Sequence, residues 1–127
     1  MHHIEIYVSD LEQSKLFYQY LLVENLGFEE FQNWPEGISY KKDNFYLVFV
    51  QVVAKYNDVP FQRTRVGLNH LAFNITQRDQ LDQLRKYYQE KNQVLYDDAY
   101  PYAGGEKHYS LYLEDPDRIK IEIVLAE

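Results

Sequence analysis

The stretch His3–Leu21, HIEIYVSDLEQSKLFYQYL, decides the fold, because its grammar returns as His70–Tyr88, HLAFNITQRDQLDQLRKYY. Each copy opens on a histidine, and the second starts 67 positions after the first. Apolar residues then alternate, Ile4, Ile6 and Val8 in one copy and Leu71, Phe73 and Ile75 in the other, the period of a half-buried strand. A helix-start signal follows in both. Ser9 with Glu12, and Thr76 with Asp79, read as capping boxes in which a hydroxyl satisfies a free backbone N–H and an acid complements the helix N-terminus. Beyond them Leu11, Leu16, Phe17, Tyr20 and Leu21, and then Leu81, Leu84, Tyr87 and Tyr88, recur at helical spacing.

Each helix gives way to strand-rich sequence. In the first half, residues 37–41 and 45–52 read as strands turning at Asp43-Asn44. In the second, residues 109–113 and 119–125 turn at Asp115-Pro116-Asp117-Arg118. Shorter strands are expected near 28–32 and 93–96. The unit is β-α-β-β-β, used twice, in an α+β protein whose modules span 1–56 and 66–127 of a single domain, 1–127, and build a curled mixed sheet.

The composition removes whole classes of chemistry. With no Cys, disulfide scaffolds, thiolate nucleophiles, iron-sulfur clusters and Cys-based zinc sites are excluded, leaving His, Asp and Glu as the strong metal ligands. A net charge of −7 repels a phosphate backbone, so a small molecule is expected as the partner rather than nucleic acid. Apolar runs such as FYLVFV fall well short of the roughly 20 residues of a membrane span, and nothing resembles a secretion signal; no membrane partner and a cytoplasmic location are expected.

Paired modules pack about a pseudo-twofold axis, which makes the two opening histidines, His3 and His70, equivalent. A third residue joins them when FYLVFV is laid on IKIEIV: Val48 then matches Glu122, a carboxylate flanked by Ile121 and Ile123. Burying it is costly without positive compensation, and a divalent metal would provide that. Two imidazoles and a carboxylate suit Fe, Mn, Zn, Ni or Co by ligand type. Read one at a time, His3 is equally a terminal residue, His70 a satisfied sheet histidine and Glu122 a surface carboxylate.

The segments HIEIYVSDLEQSKLFY, GLNHLAF and LYLEDPDRIKIEI together resemble the vicinal oxygen chelate superfamily, the glyoxalases, bleomycin-resistance proteins, fosfomycin thiol transferases and extradiol dioxygenases. The resemblance spans essentially the whole chain. It implies paired βαβββ modules curled into an open barrel around a metal, with His3, His70 and Glu122 at ligand positions. Glyoxalase-like members add a carboxylate where this chain has Val48, which leaves a two-histidine, one-carboxylate set like that of the dioxygenases and fosfomycin transferases. Leu111-Tyr112, Asp115-Pro116 and Glu122 follow the latter part of the dioxygenase signature, with Arg118 at its usual Gly or Pro position and His108 only four residues before Tyr112.

The function implied is a small-molecule metalloenzyme that stabilises an oxyanionic intermediate: isomerisation of a hemithioacetal, ring cleavage with O₂, or thiol addition to an epoxide. The alternative is a metal-free drug- or metabolite-binding protein of bleomycin-resistance type. Tyr112 and His108 are the candidate catalytic groups, with His108 on a loop whose Gly104-Gly105 pair permits lid motion. Tyr40, on the strand equivalent to that of Tyr112, and Gln51, Arg63 and Arg65 are candidates for a polar pocket. His2 is expected to point away from His3. A chain of this size with an exposed module edge is expected to form a homodimer.

Overall fold

The computed structural model describes residues 1–126 and contains two compact units, Met1–Pro60 and Phe61–Glu127. The first unit runs β1 (His3–Val8), α1 (Leu11–Tyr18), β2 (Glu29–Trp34), β3 (Gly37–Lys42) and β4 (Phe45–Gln51). The second runs β5 (Leu71–Ile75), α2 (Arg78–Glu90), β6 (Val94–Leu95), β7 (Ser110–Glu114) and β8 (Lys120–Leu125). The fold is α+β: two four-stranded mixed sheets, ordered β1-β4-β3-β2 and β5-β8-β7-β6.

In each sheet the first strand lies parallel to the last, and the other pairs are antiparallel. The registers coincide as well. Glu5 faces Val48 in the first sheet, and Ala72 faces Glu122 in the second. Glu5 and Ala72 stand at the offset of the repeat, so Val48 and Glu122 are structurally equivalent within their own modules.

Helices cover one face of each sheet. In the first unit Tyr18 stacks on Phe49 at a ring separation of 4.1 Å, beside buried Leu21, Leu22, Ile38 and Leu47. In the second, Leu81, Leu84 and Tyr88 of α2 meet the apolar side of the sheet, formed by Leu111, Leu113, Ile121 and Ile123.

Both helix starts differ from the sequence expectation by one residue. The cap of α1 is Asp10, whose carboxylate accepts from the Gln13 N–H at 3.3 Å, while Gln51 Oε1 accepts from the Leu11 N–H at 2.8 Å. That places Ser9 outside the capping position. The cap of α2 is Gln77 rather than Thr76, with no side-chain hydrogen bond. Past Tyr18 the first helix widens into a π-helical segment, Gln19–Asn25, which buries Leu21 and Leu22.

Two local conformations make testable demands. Arg118 sits at φ +66° in the turn before β8, where the carboxylate of Asp115 accepts from the N–H groups of Asp117 and Ile119, each at 2.8 Å. A side chain is disfavoured there, so Arg118→Gly is expected to raise stability by up to about 1 kcal/mol in urea unfolding. Tyr40 is fully buried on the helix side of β3, and its hydroxyl meets no hydrogen-bond partner among the described residues. Burial, reinforced by the charge of Glu30, holds that phenol far above the ordinary tyrosine range. At neutral pH the cost is that of burying an unpaired hydroxyl; because the folded value is raised, ionisation adds a second cost only once the unfolded chain ionises, above about pH 10. Tyr40→Phe should therefore stabilise by about 1 kcal/mol at neutral pH and flatten the alkaline loss, read from melting curves between neutral and alkaline pH.

Candidate functional site

Strand alternation builds the site on the face of the second sheet opposite α2. Ile121 and Ile123 of β8 turn toward the helix, so Glu122 between them turns away, and the β7 ladder sets Tyr112 directly opposite it. His70, two residues before the Ala72 that pairs with Glu122, lies on the same side. His108 precedes Ser110 and Tyr112 by steps of two and shares their face. Glu122 is only 4% exposed.

The buried carboxylate is gripped from three directions. His70 Nε2 lies 3.0 Å from Oε1, His108 Nε2 meets Oε2, and the Tyr112 hydroxyl donates as well. Burial pushes the Glu122 carboxyl up, but the hydrogen bonds from His108 and Tyr112, with the charge of His108 and the bond from His70, outweigh it and leave Glu122 below the usual carboxylate range. The Tyr112 phenol moves the opposite way. Its burial, and then the neighbouring Glu122 charge, raise it, so it stays protonated and a donor.

The outer nitrogen of His70 completes the electrostatics. Nδ1 lies 2.6 Å from Asn69 Oδ1, an acceptor, so Nδ1 carries the hydrogen. Nε2 then either bears a second proton or aims a lone pair at a carboxylate. Either way, this point between His70 and Glu122 calls for a cation, a proton or a metal. The Lys120 ammonium lies over the rings of Tyr96 and Tyr112, at 5.6 and 5.8 Å, and Tyr112 is edge-on to His70 at 6.1 Å.

Sequence reading and structure differ over several other residues. His3 stands at the start of β1 in the first unit, its ring stacked on Tyr46 at 4.7 Å and its Nδ1 2.8 Å from that of His2. His2 thus turns toward His3, contrary to expectation, because β1 begins only at His3 and alternation does not govern the residue before it. Tyr40 belongs to the core rather than a pocket, and the residue equivalent to Tyr112 is Ser39, which faces Val48. Gln51 is spent on backbone groups of Ser9, Leu11 and Val52. Arg63 is bound to Glu114 Oε2 at 2.9 Å and to the Arg118 carbonyl at 3.0 Å, so it is not free to anchor a substrate. Arg65 is exposed. Asn69 was not singled out in the sequence, although its place next to a candidate ligand histidine was a usable signal.

Among the described residues, no three His, Asp or Glu side chains are arranged so that they could hold a metal ion as they stand; His70, His108 and Glu122 are hydrogen-bonded to one another instead. The donor types nonetheless fit a divalent transition metal, since two imidazoles and a carboxylate are hard-to-borderline ligands and Asn69 engages Nδ1, which turns Nε2 of His70 toward Glu122.

Residues 1–123 match the family model of the glyoxalase/bleomycin resistance protein/dioxygenase superfamily. The chain belongs to this superfamily. An uncharacterized protein of Bacillus subtilis (strain 168), YqjT, is 52% identical over 125 residues, which is 98% of this chain and 97% of that protein. A candidate glyoxalase of Bacillus halodurans has a crystal structure with a TM-score of 0.94 and 46% identity, covering 99% of this chain and 95% of that one. The fosfomycin resistance protein FosX of Listeria monocytogenes shares the fold, with a TM-score of 0.69 at 17% identity over 100% of this chain and 90% of its own.

The loop at Gly104 comes close to the acidic centre. A Cβ on Gly104 would stand 2.6 Å from the Tyr112 hydroxyl and 2.8 Å from His108 Cδ2. Gly104→Ala is therefore expected to push the loop off and cost about 1–3 kcal/mol, with His108 losing its bond to Glu122; thermal melts and histidine NMR resonances check both. An unchanged melting temperature with unchanged histidine resonances would show that the loop does not rest where described.

Proposed function

We propose that the chain is a metal-dependent enzyme acting on a small oxygen-bearing substrate, with His70 and Glu122 as donors to a divalent ion, His3 retained as the further donor implied by the superfamily resemblance, and Tyr112 and His108 as proton-handling groups. The observation that carries this reading is the charge pattern at Glu122: a buried carboxylate facing a histidine nitrogen, with the other ring nitrogen engaged by Asn69, so that a cation, a proton or a metal, is called for between them. When bound, a divalent ion supplies electrostatic stabilisation of an oxyanion as it develops on the substrate. Iron, manganese, zinc, nickel and cobalt all match the donor types.

The chain's own groups divide the remaining work. Tyr112, kept neutral, donates a hydrogen bond toward whatever oxygen displaces its contact with Glu122. His108 Nε2, on the same carboxylate, can give or take a proton there. The loop at Gly104 lies against both. Lys120, at the rim, favours an anionic substrate group. This reading places the protein in the cytoplasm as a homodimer; no helix among the described residues is long and apolar enough to cross a membrane.

A second reading, a metal-free binding protein of the bleomycin-resistance type, is favoured by one observation: both oxygens of Glu122 are already engaged by the chain's own histidines. The two separate on metal content. Untagged protein purified without chelator is expected to carry one transition-metal equivalent per chain by elemental analysis, and His70→Ala and Glu122→Gln to lose it. Asn69→Ala should weaken binding of cobalt about 10- to 100-fold in calorimetric titration, since it frees the ring nitrogen it orients. Metal-free protein that takes up no cobalt, in wild type and variants alike, would leave the binding-protein reading standing instead.

A further inference from the structure

The polar side of α2 has no part in the core and none in the site, yet it is fully employed. Arg78, Asp82, Arg85 and Gln89 recur along one side of the helix at successive turns, and every one of them holds the segment that ends in His108-Tyr109. The Arg78 guanidinium lies over the Tyr109 ring at 4.6 Å, and that of Arg85 over Tyr100 at 4.4 Å. Asp82 Oδ1 accepts from the hydroxyls of both tyrosines, at 2.5 Å from Tyr100 and 3.0 Å from Tyr109. Farther along, Arg85 Nε and Gln89 Nε2 each bind Asp97 at 2.7 Å.

Tyr109 and His108 are neighbours pointing to opposite sides. Anchoring the Tyr109 ring on α2 therefore fixes the backbone from which His108 projects toward Glu122. Backbone bonds also tie the segment, from Ser110 N–H to Pro101 O at 2.9 Å, His108 N–H to Gly105 O at 3.1 Å and Leu125 N–H to Tyr109 O at 2.9 Å, and the contacts with α2 add the side-chain hold that keeps the Tyr109 ring, and so the orientation of this stretch, in place. We propose that Asp82 is a positioning residue: by holding Tyr100 and Tyr109 on α2, it sets His108 against Glu122. The catalytic meaning of this rests on the reading of His108 as a proton-handling group, but the placement itself does not.

The test is made on the full-length, metal-free protein, so that a failure to bind metal, which would sink the proposed function, leaves it intact. Imidazole ¹⁵N–¹H correlation spectra at fixed pH report His70 and His108 separately, each assigned by its own His→Gln variant. In Asp82→Ala the His108 Nε2–H signal is expected to be lost to solvent exchange and its ring nitrogens to move toward free-imidazole positions. His70, held by Asn69, should keep its resonances, and Asp82→Asn, which retains an acceptor oxygen, should restore most of the His108 pattern. Tyr109→Phe removes only the hydrogen bond next to His108 and provides the milder variant should Asp82→Ala fail to fold; it is expected to shift His108 in the same direction. His108 resonances that stay put in a folded Asp82→Ala or Tyr109→Phe protein would overturn the proposal. So would equal displacement of His70 and His108, which is the mark of general loosening.

Discussion

Everything on the open face of the second sheet follows from burying one carboxylate. Glu122 sits between two fully buried isoleucines, and the strand cannot turn it to water without exposing them. An unpaired charge there would cost several kcal/mol, more than most domains can spare. The chain meets the demand with donors rather than with a neutral residue: Tyr112 across the ladder, His70 at the mouth of β5 and His108 from the loop. Each donor then needs its own support. Asn69 holds the far nitrogen of His70, and Gly104 lets the loop come close enough for His108 to arrive.

The first module shows what the same backbone does without that demand. Its ladders run in the same order and register, but Val48 stands where Glu122 does and Ser39 where Tyr112 does. Ser39 is buried and hydrogen-bonded to Gln32, an ordinary strand contact. With no buried charge on the equivalent strand, nothing recruits donors, and the histidine at its head stacks on Tyr46 instead. One architecture thus carries two different electrostatic loads, and the chemistry is confined to where the load is.

That asymmetry was partly visible in the sequence. Alternation after His3 and His70, together with the apolar flanks of Glu122, disclosed the repeat, the strands and the position of the acid, because these are local, periodic signals. Each capping position lies one residue beyond the expected one: Asp10, adjacent to Ser9, makes the local cap of α1 with a distant side chain, Gln51, accepting from Leu11 as well, and α2 has Gln77 at its cap position without a side-chain hydrogen bond. The π-helical segment left no periodic trace, since widening a helix rearranges backbone bonds without altering which residues are apolar. Arg63 and Tyr40 looked available because their partners, Glu114 and the core under α1, are remote in sequence. The contact of His108 with Glu122 depends on the path of an irregular loop, which no periodicity describes.

The two helices make the same point in terms of surface. At the offset of the repeat, Arg78, Asp82 and Arg85 of α2 correspond to Leu11, Lys15 and Tyr18 of α1, and of these Leu11 and Tyr18 are core residues. The first module joins β2 to β3 by a tight turn at Pro35-Glu36, so its helix has no loop to restrain and can spend that side on packing. The second module inserts a long segment between β6 and β7, and the corresponding side of its helix has become polar to hold it. Ordering an irregular segment costs backbone entropy at every residue, and burial alone cannot offset that where the residues are Gly, Ala and Glu. Hydrogen bonds to a shared carboxylate and guanidinium groups stacked on tyrosine rings can, because each fixes an aromatic side chain that has few rotamers to lose. A loop held in this way delivers a histidine to a fixed point while its glycine tip remains free of bulk, which is the combination a site built around one buried carboxylate requires.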